Sequence, residues 1–293
     1  MTQYTVTQYT VDEIPVTEYV PADQMNQPLP LIFFYHGWES FTEACATHAL
    51  ELVKQGFRVV LPDNYDHGLR HDPNDLRTPL TFLETLQKNV QEFPTLLAYY
   101  QGQGLTTDFI GVSGLSMGGI TTNMLLTQYP EITAAGALEG TPSITGFIAY
   151  LIDQAKHADP KLIEALGLSA MKDAAPDLIN QFPALDLSSQ PEKLAGRPLL
   201  LWHAKDDDIV PVNDDIVFYN ANAKNDAAKN LHLVLNHSGG HHVPYHASVR
   251  LAAFFKSALN NTDPDALWKD TESRMTQRLG DHREKAGNYE VIG

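Results

Sequence analysis

One cysteine in 293 residues leaves Cys45 without a partner for an internal disulfide, which excludes a covalently stapled scaffold. In the helical stretch that holds it, Cys45 reads as a small buried hydrophobe rather than a reactive thiol. Basic residues are scarce: 20 Lys and Arg stand against 36 Asp and Glu, a formal charge of −16. Phosphate backbones are gripped by clustered Lys and Arg, so this balance excludes nucleic acid as a partner. No Lys or Arg precedes Lys54, and the basic n-region of a secretory leader is therefore not expected. No apolar run approaches the ~18 residues that a membrane-spanning helix needs. These shortages predict a cytoplasmic chain with no membrane partner, and they leave its oligomeric state open.

What is present is ordinary globular material, 43% hydrophobic and 19% charged, with ample length for a large core. YTVTQYTV and IPVTEYV alternate apolar and polar residues, as an antiparallel hairpin does. PLPLIFFYHG and FRVVLPD are too densely apolar to alternate, and read as strands covered on both faces. Helical patterns follow at 42–55, 78–101, 117–128 and 244–259, interleaved with strands at 107–113, 133–138, 198–203 and 231–235. This rhythm predicts an α/β fold: a mostly parallel central sheet with helices on both faces and an N-terminal antiparallel hairpin. Residues 1–293 read as a single domain. Residues 141–197 carry helical patterning without a strand and are expected to form an inserted helical cap over the carboxyl edge of the sheet. Residues 262–293 read as a polar C-terminal extension that adds little to the core.

The stretch GVSGLSMGGI sets a serine between an apolar strand and a helix, with glycines two residues to either side. Gly114-Leu115-Ser116-Met117-Gly118 matches G-x-S-x-G, a sharp turn that lifts a serine hydroxyl clear of a sheet at a helix N-terminus. A hydroxyl is a weak nucleophile until a base takes its proton. The chain order expected with this turn is serine, acid, histidine. Downstream, LLLWHAKDDDIVP offers aspartates at a strand end, and LNHSGGHHVP offers histidines after the next strand.

From about Leu31 to Leu259 the chain resembles the α/β-hydrolase superfamily, in its serine esterase and dienelactone-hydrolase-like branch. Esterases of that family show D-x-x-V-P after the acid-bearing strand, here Asp207-Asp208-Ile209-Val210-Pro211, and G-H-x-V-P around the base, here Gly240-His241-His242-Val243-Pro244. The resemblance nominates Ser116, Asp207 and His241 as the triad. Asp206 and Asp208 read as solvated loop charges or as the acid in place of Asp207. Glu139, after the preceding strand, reads as a pocket residue or as another acid. His242 is the alternative base. The backbone amide of Met117 is expected to supply one oxyanion donor. The resemblance assigns the second to the residue after His36-Gly37, which is Trp38. His36, Gly37, Glu139, Phe147 and Tyr150 are the expected pocket residues.

The reaction implied is cleavage of a small carboxylic ester through an acyl-enzyme intermediate. Lactone or dienelactone hydrolysis and thioester hydrolysis use the same triad. An α/β-hydrolase-like scaffold that binds without catalysing is the alternative of another class. Cofactors and metals are not expected: His67 and His71, flanked by Asp66 and Asp72, fall in a Gly- and Pro-bearing loop, and no H-E-x-x-H accompanies them. Gly102-x-Gly104 reads as a helix terminator.

Overall fold

The computed structural model describes residues 3–74, 77–157, 179–261, 263–280 and 289–292. Its sheet runs in the order β1 (Tyr4–Val11), β2 (Ile14–Pro21), β4 (Arg58–Pro62), β3 (Leu29–Tyr35), β5 (Thr106–Leu115), β6 (Ala134–Leu138), β7 (Leu199–Ala204), β8 (Leu231–Asn236), β9 (Tyr289–Ile292). The hairpin β1 (Tyr4–Val11) and β2 (Ile14–Pro21) pairs antiparallel and joins β4 (Arg58–Pro62) antiparallel through β2. β3 (Leu29–Tyr35), β4, β5 (Thr106–Leu115), β6 (Ala134–Leu138), β7 (Leu199–Ala204) and β8 (Leu231–Asn236) run parallel. The α/β architecture and the N-terminal hairpin agree with the sequence reading.

Alternation along β3 shows how the sheet separates two cores. Leu31, Phe33 and Tyr35 pack into one cluster with Phe93, Val112 and Met124, while Ile32 and Phe34 pack into another with Leu52, Leu251 and Phe254. A strand covered on both faces reads as the dense apolar run seen in the sequence. The first face carries α2 (Pro79–Gly102), capped by a reciprocal Thr78–Thr81 box with Pro79 in its first turn, and α3 (Met117–Gln128). The second carries α1 (Ala46–Val53). No helix among the described residues is long and apolar enough to cross a membrane.

Part of the expected cap segment, 158–178, lies outside the described residues, and with it Leu162, Leu166 and Met171. The described part of 141–197 holds α4 (Ile144–His157) and short 3-10 turns at Phe182–Leu185, Leu187–Ser189 and Pro191–Leu194. Between β7 and β8 lies α5 (Asn213–Asn222), and α6 (Tyr245–Asn260) follows β8.

The C-terminal segment differs from its sequence reading. α7 (Pro264–Leu279) packs along α6 with Leu267, Thr271 and Met275 buried, and β9 (Tyr289–Ile292) completes the sheet antiparallel to β8. The segment is polar on average because one helix face meets solvent. Its few apolar side chains fall on the other face, so mean composition hid the stripe.

Candidate active site

Parallel strands bring their carboxyl ends to one edge, and the candidate residues follow those ends. Ser116 follows β5, Glu139 follows β6, Asp207 lies just beyond β7, His241 just beyond β8, and His36-Gly37-Trp38 follows β3. Ser116 alone links β5 to α3, with φ 55° and ψ −120°. A non-glycine residue with positive φ is strained, and the surroundings must over-determine it. Its amide donates to the carbonyl of Leu138 at 2.8 Å, and its carbonyl accepts the first helical bond from Ile120 at 2.9 Å. Gly114 must be small because an added Cβ would lie 2.5 Å from the Gly118 backbone.

Ser116 Oγ lies 2.7 Å from His241 Nε2, and His241 Nδ1 lies 2.7 Å from Asp207 Oδ2. The carboxylate accepts from Nδ1–H, which leaves Nε2 free to accept from the serine hydroxyl. Asp207 Oδ1 accepts from the amides of Ile209 at 2.9 Å and Val210 at 3.0 Å. Burial alone would raise the Asp207 carboxyl, but His203, His241 and the two amides hold it well below the usual carboxylate range. The structure thus brings together Ser116, His241 and Asp207, which stand far apart in the chain.

The neighbours considered for the same roles make contacts of their own. Asp206 accepts from the amides of Gly239 and Gly240 at 3.2 and 2.9 Å, pinning the loop that carries His241. Asp208 is exposed, and its carbonyl accepts from Tyr150 Oη at 3.3 Å. His242 donates its amide to Glu139 Oε1 at 3.0 Å. Glu139 itself is 1% exposed, with Oε2 3.8 Å from His241 Nδ1. Burial pushes its carboxyl up to about 7, against the pull of His241. Among the described residues, Glu139, Asp207 and His241 also bring three metal-capable ligand atoms within 4.8 Å of one another.

The loop after β3 is set by His36. Its Nδ1–H donates to the carbonyl of Gly37 at 2.8 Å, and its Nε2 accepts from the amide of Asn64 at 3.1 Å. Burial lowers His36 to about 3, so the ring is neutral and this tautomer is stable. The Gly37 carbonyl belongs to the same peptide plane as the Trp38 amide. Holding one end of a trans peptide fixes the direction of the other. Gly37 lies close to Ser116, since a Cβ there would stand 3.4 Å from Ser116 Cβ. His36 thus holds the peptide that carries the Trp38 amide.

Aromatic rings lead away from this loop. Trp38 meets His67 edge-on at 4.9 Å and Phe82 at 5.5 Å; Phe82 contacts Phe147 at 6.1 Å, and Phe147 stacks on Tyr150 at 6.0 Å. His67 is buried and His71 pairs with Asp66 at 3.1 Å, on either side of a 3-10 turn at Gly68–Arg70. Phe82 was hidden in the sequence because its helical spacing in α2 looked like core. His203 was hidden for a similar reason, standing at the end of an apolar strand. Its signal was its spacing, four residues before Asp207.

Residues 83–262, more than half of the chain, match the prolyl oligopeptidase family. The chain is 31% identical over 254 residues to YitV of Bacillus subtilis (strain 168), covering 85% of this chain and 97% of that protein. It is 31% identical over 205 residues to Esterase YjfP of Escherichia coli (strain K12), covering 70% of this chain and 79% of that one. Both relatives carry the word esterase in their names. In fold it is similar to TT1662 from Thermus thermophilus, with a TM-score of 0.67 at 16% identity over 88% of this chain and 99% of that one. The chain is a serine hydrolase of α/β-hydrolase fold and belongs to the prolyl oligopeptidase family.

Proposed function

We propose that this protein hydrolyses small carboxylic esters, with Ser116 as nucleophile, His241 as general base and acid, and Asp207 as the group that orients His241. The observation that carries this reading is the unbroken row from Ser116 Oγ through the two nitrogens of His241 to Asp207 Oδ2, each gap 2.7 Å. The esterase names of both relatives support the same class.

His241 Nε2 takes the serine proton as Oγ attacks the ester carbonyl. The tetrahedral oxyanion forms beside the amides of Met117 and Trp38, the latter aimed by His36. His241 then gives its proton to the departing alcohol oxygen, and the C–O bond breaks to leave an acyl-serine. Water repeats the sequence, releasing the acid and restoring the hydroxyl. Two amide donors at such a site are each worth ~10²–10³ in turnover. The described part of 141–197, which follows β6, would serve as the cap, with Phe147 and Tyr150 on its inner side. Composition supports the cytoplasm as the place of reaction.

A p-nitrophenyl acyl-length series, run beside a lactone and a thioester, tests the substrate class. Fastest turnover on short acyl esters supports the reading, and preference for the lactone or thioester replaces it. A fluorophosphonate probe tests the nucleophile. Labelling that disappears in Ser116→Ala supports it, and folded wild type that takes no label points to a binding scaffold.

A further inference from the structure

His203 is the penultimate residue of β7, its ring is fully buried, and both ring nitrogens face acceptors. Nε2 lies 2.7 Å from the carbonyl oxygen of Val210 and 3.1 Å from Asp207 Oδ2, while Nδ1 lies 2.7 Å from Asp215 Oδ2. A carbonyl can only accept, so Nε2 carries a proton. Burial raises the Asp215 carboxyl and His203 opposes that rise; an ionised Asp215 can only accept, so Nδ1 carries another. The ring is then an imidazolium clasped between two carboxylates. Burial opposes that charge, but Asp215 and Asp207 outweigh burial and push His203 up to about 10. Asp207 Oδ2, the atom His203 touches, is also the acceptor for His241 Nδ1. Two histidines therefore share one carboxylate oxygen.

We propose that His203 and Asp215 are positioning residues: Asp215 keeps His203 charged, and His203 draws part of the Asp207 charge away from His241. The inference rests on the reading of Ser116, Asp207 and His241 as the triad. An ionised Asp207 favours positive charge on His241. A second cation on the same oxygen offsets part of that attraction. It also fixes the carboxylate plane, because Oδ2 now has two donors and Oδ1 has two amides. Among the described residues, the charged and titratable groups around this unit are few. His203 faces Asp207 from its own loop and Asp214 and Asp215 from α5, and it interacts electrostatically with Glu139 after β6. His241 faces Asp207, Glu139 and Ser116.

Asp215 touches no candidate reacting group, so Asp215→Asn probes the device with little disturbance of shape. The carboxamide introduced by that substitution can donate to Nδ1, which makes a neutral His203 stable. His203→Gln keeps a donor toward Asp207 without the charge. In both variants the acid limb of the kcat/KM profile on a p-nitrophenyl ester should move up by about one pH unit, with activity normalised to fluorophosphonate-reactive protein. Imidazole nitrogen NMR on the full chain at pH 8 should show both His203 nitrogens protonated in wild type and one in Asp215→Asn. A neutral His203 in wild type overturns the proposal whether or not the variants fold. So does an acid limb that stays in place while the ring has lost its charge. Loss of labelling in Ser116→Ala reports on the triad alone, so failure there is distinguishable from failure here.

Discussion

The carbonyl oxygen of Tyr35 stands so close to Gly118 that a Cβ added to Gly118 would lie 2.0 Å from it. This contact locks the end of β3 against the first turn of α3, and with it the loop that bears the Trp38 amide and the helix start that bears the Met117 amide. Gly118→Ala must push these backbones apart. It should cost about 3 kcal/mol of stability and lower the melting temperature by ~5 °C. Fluorophosphonate labelling of the folded remainder should slow at least tenfold, read by calorimetry and labelling rate together.

Asp207→Asn keeps the shape of the acid but loses its charge and offers a donor where an acceptor is needed. The wrong tautomer of His241 is then favoured. kcat should fall by ~10⁴, with KM changed little. Steady-state kinetics on the best p-nitrophenyl ester measures it.

Glu139 gives the fold a pH dependence of its own. Its carboxyl is raised to about 7 from an ordinary 4.5, so the folded chain binds a proton that the unfolded chain releases. Stability contributed by this group is present below the lower value and is lost as pH rises through the upper one. Glu139→Gln should therefore match wild type at pH 4 and exceed it by about 2–3 kcal/mol at pH 8. Urea denaturation at the two pH values tests the sign, and a Gln variant less stable at pH 8 contradicts it.

At the opposite end of the strands, Arg58 is fully buried and pairs with Glu18 at 2.7 Å, while also donating to the carbonyls of Met25, Gln27 and Leu105. Arg58→Met strands the Glu18 charge and should cost about 3–5 kcal/mol. Turnover per folded molecule should be unchanged, because this pair lies far along the strands from Ser116. Denaturation curves and specific activity separate the two effects.

Leu267 is 1% exposed and packs with Phe254 and its neighbours in the second core. Leu267→Ala should cost about 2–4 kcal/mol. A loss within about 0.5 kcal/mol, the range of an ordinary surface substitution, would mean that α7 is loosely held, as mean polarity had suggested. Guanidinium unfolding midpoints decide it.

Much of the fold was legible because its signals are local. Dense runs such as IFFY in β3, the capped pattern from Thr78 onward and the glycine-framed Ser116 each declare themselves within a few residues. Other features needed contacts that no window of sequence contains. His203 looked like the polar end of a strand until Asp215, twelve residues on in α5, was seen against it. His36 is met by the amide of Asn64, far along the chain, and only the fold reveals that this contact fixes its tautomer. The acid positions Asp206, Asp207 and Asp208 are chemically identical, and only loop geometry assigns amides to one, a histidine to another and solvent to the third.

The amino-acid sequence by itself determined the alternation of strands and helices, the sharp turn at Ser116 and the side chains available after each strand, because backbone preference and hydrophobic period act over short spans. The tertiary structure alone decided which carboxylate meets which imidazole and that two histidines converge on a single oxygen of Asp207. Hydrogen bonds depend on tenths of an ångström and on direction. Those are settled only when elements distant along the chain are packed against one another.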